Sequence, residues 1–160
     1  NAELSDRLNA ANGRIAALEK GGSGIGAGLG GLKVEGVENT ADGRALINDD
    51  LLFEKGKADL KPDAKRLIND IAAKLKEGEL ANAVIGVEGH TDDTPVSRAS
   101  TKEMFHDNWG LSAARAARVV SALHEAGVPH ERLHGTFRSQ YNPRGSDKAQ
   151  NRRVELYRIR

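Results

Sequence analysis

The sequence contains no cysteine, few aromatic residues and no long apolar run, and each shortage narrows the kind of protein it encodes. Its 160 residues include no Cys, and aromatic side chains make up only 4% of them. Disulfide frameworks and thiolate metal sites are therefore excluded. No apolar stretch approaches the roughly 20 residues that a helix needs to cross a bilayer. With 38% hydrophobic residues, the chain is long enough for one domain with its own core.

The first residues and the charge distribution bear on where the protein works. The chain begins at Asn1, without the basic-then-apolar order of a secretion signal. We expect it to be part of a longer protein, with any signal or membrane anchor upstream. The net charge is +1, but residues 108–160 carry 10 Lys and Arg against 4 Asp and Glu. This basic third favours either an anionic partner or an Arg-rich solvated surface.

Residues 1–20 are predicted to form an amphipathic helix with a coiled-coil seam. Their apolar residues alternate between spacings of four and three, as in the core of a coiled coil. These residues are Leu4, Leu8, Ala11, Ile15 and Leu18. Fewer than three heptads make only a marginal helix alone. We therefore expect either the end of a longer coiled coil, which favours a homodimer, or a helix that docks on another surface.

A glycine-rich linker is predicted for residues 21–31, which include seven glycines. Such a composition disfavours persistent helix and favours a flexible joint. The remaining residues, 32–160, have the composition and periodicity of one compact domain.

Residues 32–160 are predicted to form an α/β (α+β) domain with the order βαβαββ. Strands are typified by short apolar runs, and helices by apolar residues at spacings of three and four. The predicted strands are Arg44–Phe53, Ala83–Gly89, Leu133–Phe137 and Arg153–Ile159, and the predicted helices are Lys61–Leu75 and Asn108–Ala126. This order predicts a sandwich in which helices pack on a mixed sheet.

A cluster of polar residues directly follows the predicted buried strand, in the segment 89–94. Ligands of α/β proteins gather beyond the carboxyl ends of strands, because loops and helix N-termini converge there. Asn108 is predicted to cap the second helix, and Arg115 lies two turns along the same helix face. Asp92 and Arg115 are thus expected to face each other across a small cleft.

From the residues alone, several interpretations of this cluster stay open. A metal could be bound by side chains of suitable type, although their spacing matches no known pattern. These side chains are His90, Asp92, Asp93, His106 and Asp107. Ser112, His90 and Asp92 could form a hydrolytic triad, but no nucleophile-elbow sequence surrounds the serine. The simplest alternative is an ion pair between Asp92 and Arg115. By burial habit, His90 is expected to be a scaffold residue and Trp109 a packing anchor.

Four motifs, in order, resemble those of the OmpA-like family of peptidoglycan-binding domains. They are LFEKGKADLKP at 52–62, VEGHTD at 87–92, NWGLSAARA at 108–116 and NRRVE at 151–155. Within the family, the segments around Asp92 and Arg115 are most similar to those of MotB-type stator proteins. The resemblance implies a non-catalytic domain that anchors a membrane protein or motor stator to the cell wall. Outer-membrane or lipoprotein wall anchors of the OmpA type are the alternative.

The resemblance also implies a ligand and a role for individual residues. The ligand is the diaminopimelate of the peptide stem, whose free end carries an ammonium and a carboxylate. Asp92 would accept from the ammonium, and Arg115 would donate two hydrogen bonds to the carboxylate. Supporting positions in the same pocket are Asn108, Thr91, Arg153 and Phe53. The implied protein is periplasmic and membrane-anchored, with peptidoglycan and a membrane subunit as partners.

Two other functions fit the sequence less well than wall binding. Nucleic-acid binding would use the basic residues of the last third, but few aromatics interleave with them and no such motif is present. A cell-wall hydrolase would need paired carboxylates or a metal, whereas the predicted cleft pairs a carboxylate with an arginine. The sequence therefore predicts a binding domain that is not an enzyme and uses no cofactor, no metal and no nucleic acid.

Overall fold

A five-stranded mixed sheet forms the centre of the protein. The computed structural model describes residues 2–20, 28–29 and 31–160, with side chains described for residues 2–12, 28–29 and 31–160. The strands are β1 (Val37–Asn39), β2 (Ala45–Asn48), β3 (Ile85–His90), β4 (Leu133–Phe137) and β5 (Arg153–Arg158), in the spatial order β1-β2-β5-β3-β4. Only β3 and β4 pair in parallel. The last strand, β5, lies antiparallel between β2 and β3.

Two long helices, Pro62–Leu75 and Asn108–Glu125, share one hydrophobic core with this sheet. The helices are α1 (Ala2–Lys20), α2 (Asp49–Leu52), α3 (Pro62–Leu75), α4 (Ala99–Phe105), α5 (Asn108–Glu125) and α6 (Lys148–Asn151). Pro62 suits the first turn of α3 because that turn needs no N–H from it. Gly127, with φ 106°, follows the end of α5 in a conformation that glycine adopts without strain. Helix α5 contacts β3, β4 and α3.

The two faces of the sheet differ in chemistry because side chains alternate along each strand. Ile47, Val87 and Leu156 point to the helices and are fully buried. On the opposite face, Glu88 and Glu155 are also buried but polar. Strand β3, which is buried along its whole length, is therefore covered on both sides.

Gly89 shows how closely α5 approaches the sheet. A Cβ atom at this position would lie 2.1 Å from the backbone oxygen of Ser112. Only glycine lets the helix pack this near, and the approach brings the first turns of α5 to the end of β3.

The mixed sheet with packed helices confirms the predicted fold class, and five of the six predicted elements appear with small shifts in their ends. The predicted strand Arg44–Phe53 was wrong in its second half, since the chain turns into α2 after Asn48. The Asn48 side chain accepts from the Asp50 N–H and so caps that helix. Strand β1 and helix α4 were not predicted.

The N-terminal helix is present as α1, and its apolar residues Leu4 and Leu8 are 65% and 61% exposed. Of the predicted linker, residues 21–27 and 30 lie outside the described residues. Leu29, near the linker's end, is buried in the core, and its N–H donates to the Gly43 carbonyl at 3.0 Å. No helix among the described residues is long and apolar enough to cross a membrane.

Candidate functional site

A cleft of about 420 Å³ opens where β2 and β3 end and α5 begins. Asp92 follows β3, Arg115 lies on α5, and Asp49 belongs to α2. The cleft also includes Thr91, Asp50, Asn108, Lys148 and Arg152 among its lining residues. Asp92 and Arg115 are therefore brought to one cavity, as the sequence predicted.

Asp92 is held by partners other than Arg115. Its Oδ1 accepts from the Thr94 N–H at 2.9 Å, and its Oδ2 accepts from Arg152 Nη1 at 2.6 Å. Burial raises the pKa of this carboxyl, but the hydrogen bonds from Arg152 and Thr94 outweigh it and hold the pKa below its usual value. Asp92 is therefore an anion at neutral pH.

Arg115 is buried, at 3% exposure, and is oriented from three sides. Its Nε donates to the Lys57 carbonyl at 3.0 Å, and its Nη1 lies 2.8 Å from Asp49 Oδ1. The guanidinium carbon lies 5.2 Å from the centre of the Phe53 ring. Phe53 thus supports Arg115 from the core and does not itself line the cleft.

Asp49 is the most perturbed carboxyl of the cleft. Burial raises its pKa to about 6, against the opposing effect of the Arg115 charge. Burial likewise lowers the pKa of Arg115, and the Asp49 charge opposes that shift. Each group therefore keeps the other ionised near neutral pH.

Asn108 and Thr91 shape the loop that carries Asp92. The Asn108 amide donates to the Thr94 carbonyl at 3.0 Å and to Gln140 Oε1 at 3.2 Å. The Thr91 hydroxyl donates to the Asp92 carbonyl at 2.9 Å. The prediction that Asn108 caps α5 was wrong, because the preceding Asp107 accepts the Gly110 N–H instead.

Arg153 does not lie in the cleft, contrary to the prediction. Its guanidinium donates to Glu155 Oε1 at 2.8 Å and to the Asn142 carbonyl at 2.8 Å, and it lines a separate cavity on the polar face of the sheet. The arginine in the cleft is its neighbour Arg152. Adjacent residues of an extended chain point to opposite sides, so only one of the two arginines reaches the cleft.

The residues of the possible metal site and of the possible hydrolytic triad do not come together in the structure. His90 is buried on the polar face, with Nε2 2.9 Å from Glu88 Oε1, whereas His106 and Asp107 pair with each other at the surface. The Ser112 hydroxyl donates to the Trp109 carbonyl and accepts the Ser139 N–H. Neither arrangement assembles at the cleft.

A second group of metal-ligand types, Glu88, His90 and Glu155, lies together on the polar face. Glu155 is contacted by Arg44, Arg144 and Arg153, and Glu88 is contacted by Arg44. Three guanidiniums already compensate two carboxylates. An added divalent cation would be repelled, so these residues do not fit a metal.

The basic residues of the last third find acidic partners within the domain. Arg144 and Arg153 contact Glu155, Arg152 contacts Asp92, and Lys148 lies 3.0 Å from Asp93. These pairs involve four of the ten Lys and Arg residues of this third. They weaken the case for nucleic-acid binding, which depends on unpaired basic groups facing phosphates.

Two cleft residues, Asp49 and Arg152, were missed by the sequence interpretation. Asp49 was placed inside a strand, and Arg152 was passed over in favour of its neighbour. A signal for Asp49 was available, since Asn48-Asp49-Asp50 has the composition of a helix start.

Comparisons with known proteins identify a matching family and several similar proteins. The profile of the OmpA family matches residues 52–156. The putative flagellar export/assembly protein LafU of Escherichia coli O44:H18 is 31% identical over 120 residues, which cover 71% of this chain and 36% of LafU. The chain thus spans well under half of that relative.

Two solved structures share the fold. The periplasmic domain of Helicobacter pylori MotB is 27% identical with a TM-score of 0.65, over 76% of this chain and 79% of that one. The cell wall anchor of the T6SS from Pseudomonas aeruginosa is 26% identical with a TM-score of 0.66, over 78% of this chain and 87% of that one.

Proposed function

Since the chain belongs to the OmpA family, we propose that its cleft binds the peptide stems of bacterial peptidoglycan without cleaving them. The observation that carries this proposal is the placement of Asp92 and Arg115 in one cavity, each fixed by a different partner. Because Asp92 and Arg115 are not paired with each other, one zwitterion can place its ammonium at Asp92 and its carboxylate at Arg115.

Both side chains retain hydrogen-bonding capacity for a ligand. An ionised carboxylate has about four lone-pair sites and a guanidinium has five N–H donors. Among the described residues, Asp92 accepts from Thr94 and Arg152, and Arg115 uses Nε and one Nη1 contact. The ammonium of a diaminopimelate end group would approach Asp92, and its carboxylate would meet the outer edge of Arg115.

The cleft is better suited to binding peptidoglycan than to hydrolysing it. The pKa values of Asp49 and Asp92 are shifted in opposite directions, as those of a catalytic acid and base would be. However, Asp49 is 3% exposed and lies against Arg115, and Asp92 is held by Arg152. Both carboxylates are thus ionised at neutral pH and paired with an arginine, whereas hydrolysis of a glycosidic bond needs one protonated carboxyl group. We therefore propose a binding domain with no hydrolytic activity.

Titration with three sugar-free tripeptides tests the proposal. The first ends in diaminopimelate, the second carries its amide, and the third has lysine in its place. Loss of the carboxylate removes charge-assisted hydrogen bonds worth about 1.5–3 kcal/mol, so both analogues should bind roughly 10- to 150-fold more weakly. Equal affinities by calorimetry would contradict the proposal, and clearing of a sacculus suspension would contradict its non-catalytic part.

The wider role we propose is that of a periplasmic tether. The apolar repeat of α1 would pair with a second copy, and a segment upstream of Asn1 would connect the domain to a membrane subunit, such as a motor stator. One small polar end group gives weak binding at each site. A dimer that engages two stems of the same wall would compensate by avidity.

Affinity for the diaminopimelate tripeptide should rise as the pH falls through 6. The ligand carboxylate at Arg115 is repelled by Asp49, whose pKa of about 6 lets it take up a proton in this range. Asp92, with its lowered pKa, stays charged. Binding should be about three- to tenfold tighter at pH 5.5 than at pH 8 in calorimetry.

The Asp49→Asn variant isolates this effect. It should bind with little dependence on pH, because the cleft carboxyl group with a pKa of about 6 is removed. Asp63→Asn, at an exposed position on α3 outside the cleft, should keep the wild-type pH dependence. Affinity that falls with decreasing pH in the wild type would show that Asp49 does not oppose the ligand.

A further inference from the structure

Half of the aromatic side chains of this protein are exposed together at one place. Trp109, Phe137 and Tyr141 are 45%, 48% and 65% exposed, and we call them the aromatic patch. The Trp109 and Tyr141 rings are 5.4 Å apart and tilted by 33°, and the Phe137 ring meets Trp109 edge-on at 6.2 Å. Trp109, which the sequence predicts to be a packing anchor, packs against these two rings but stays half-exposed.

The aromatic patch and the cleft are carried by neighbouring segments of the chain. Trp109 directly follows Asn108, whose side chain lines the cleft. Between Phe137 and Tyr141, the Ser139 carbonyl accepts the Thr91 N–H, next to Asp92. Gln140, in the same loop, accepts from Asn108. One set of loops at the ends of β3 and β4 therefore carries both surfaces.

We propose that the aromatic patch binds a sugar ring of the glycan strand whose peptide stem occupies the cleft. This inference rests on the proposed function, since it places the ligand's sugar relative to its peptide. Three ordered aromatic faces in water are costly to expose unless they meet a ligand. The flat C–H face of a pyranose ring matches the open face of Trp109, flanked by Tyr141.

The dimensions of the ligand and of the patch agree with this assignment. A stem of three residues spans at most about 10 Å when extended, so the sugar that carries it cannot lie far from the cleft. Trp109 begins one residue from a cleft-lining side chain. Three side chains are also far smaller than a stable protein interface, which buries about 1,200–2,000 Å². A sugar is therefore favoured over a protein partner.

The test compares the sugar-free diaminopimelate tripeptide with the same peptide on its disaccharide. The wild type should bind the disaccharide form about five- to tenfold more tightly. Trp109→Ala and Tyr141→Ala should lose that advantage and bind the sugar-free peptide within twofold of the wild type. Met104→Ala, an exposed apolar residue on α4 at 72% exposure, is the matched control and should keep the advantage.

The sole tryptophan provides a second readout. Fluorescence of Trp109 should shift on titration with the disaccharide peptide and stay unchanged with the sugar-free peptide. Equal affinity of the wild type for both ligands would overturn the inference while leaving the proposed function intact. Failure of both ligands to bind would overturn the proposed function itself. A dimer seen by sedimentation that Trp109→Ala dissociates would assign the patch to a second copy instead.

Discussion

Replacing Arg115 with Gln is expected to reduce retention of the protein on purified sacculi by about 30-fold or more, since charge-assisted hydrogen bonds to a carboxylate contribute roughly 2–3 kcal/mol. Gln keeps part of the side-chain volume over Phe53 but has no charge and no paired N–H donors. Asp92→Asn should have an effect of similar size, because the amide no longer attracts an ammonium. Co-sedimentation with sacculi at several protein concentrations measures both changes.

Each substitution has a matched control on the same element. Arg118 lies three residues along α5 and is exposed, so Arg118→Gln should be retained like the wild type. Asp93 follows Asp92, is exposed, and contacts Lys148 at 3.0 Å; Asp93→Asn should also be retained. Circular dichroism checks that each variant is folded. Wild-type retention of both folded variants, Arg115→Gln and Asp92→Asn, would remove the basis of the proposed function.

Replacing Glu155 with Ala is expected to lower the free energy of unfolding by about 3–5 kcal/mol, because it leaves the buried Arg153 guanidinium without its anion. Glu155 is fully buried, and it contacts Arg144 at 2.5 Å, Arg44 at 2.7 Å and Arg153 at 2.8 Å. Urea denaturation followed by circular dichroism measures the loss. Glu125→Ala, at an exposed position on α5, should change stability by less than about 0.5 kcal/mol.

Acid should reproduce part of this loss in the wild type. Burial raises the pKa of Glu155, but hydrogen bonds from its three arginines outweigh it and lower the pKa to about 2. A lowered pKa gives stability that is complete above the ordinary value of 4.5 and is lost as the pH falls towards 2. The contribution is about 3 kcal/mol. Asp49 acts in the opposite sense, since its raised pKa costs stability as the pH rises through about 6.

Glu155→Ala should flatten the dependence of stability on pH between 4.5 and 2. Unfolding midpoints in urea at several pH values, compared with the wild type, measure this. If the variant loses stability in acid as steeply as the wild type, other carboxylates carry the effect.

Elements with long or strongly apolar patterns could be predicted from the sequence. Helices α3 and α5 repeat their apolar residues at helical spacing over several turns, and β3 is a compact apolar run. The four-residue helix α2 has no such repeat, and its start depends on a single Asn48 cap. Short elements of this kind are fixed by tertiary packing, which one sequence does not display.

The candidate site, too, could be predicted from the sequence only in part. Asp92 and Arg115 lie at positions where a strand ends and a helix face points inward, so their convergence followed from element order. The choice between Arg152 and Arg153 depends on the register of β5, because a shift by one residue exchanges the two faces. That register is set by pairing with β2 and β3, whose contacts are distant in sequence.

The position of Leu29 sets the direction in which a pulling force would act on the domain. Leu29 is bound beside Gly43, just before β2 begins, whereas the cleft lies where β2 and β3 end. The hydrogen bonds of a sheet run across its strands. Tension between a wall ligand in the cleft and the chain leaving at Leu29 would act along the strands. It would load the bonds joining β2, β5 and β3 in shear, so that they share the force and are not peeled apart one after another.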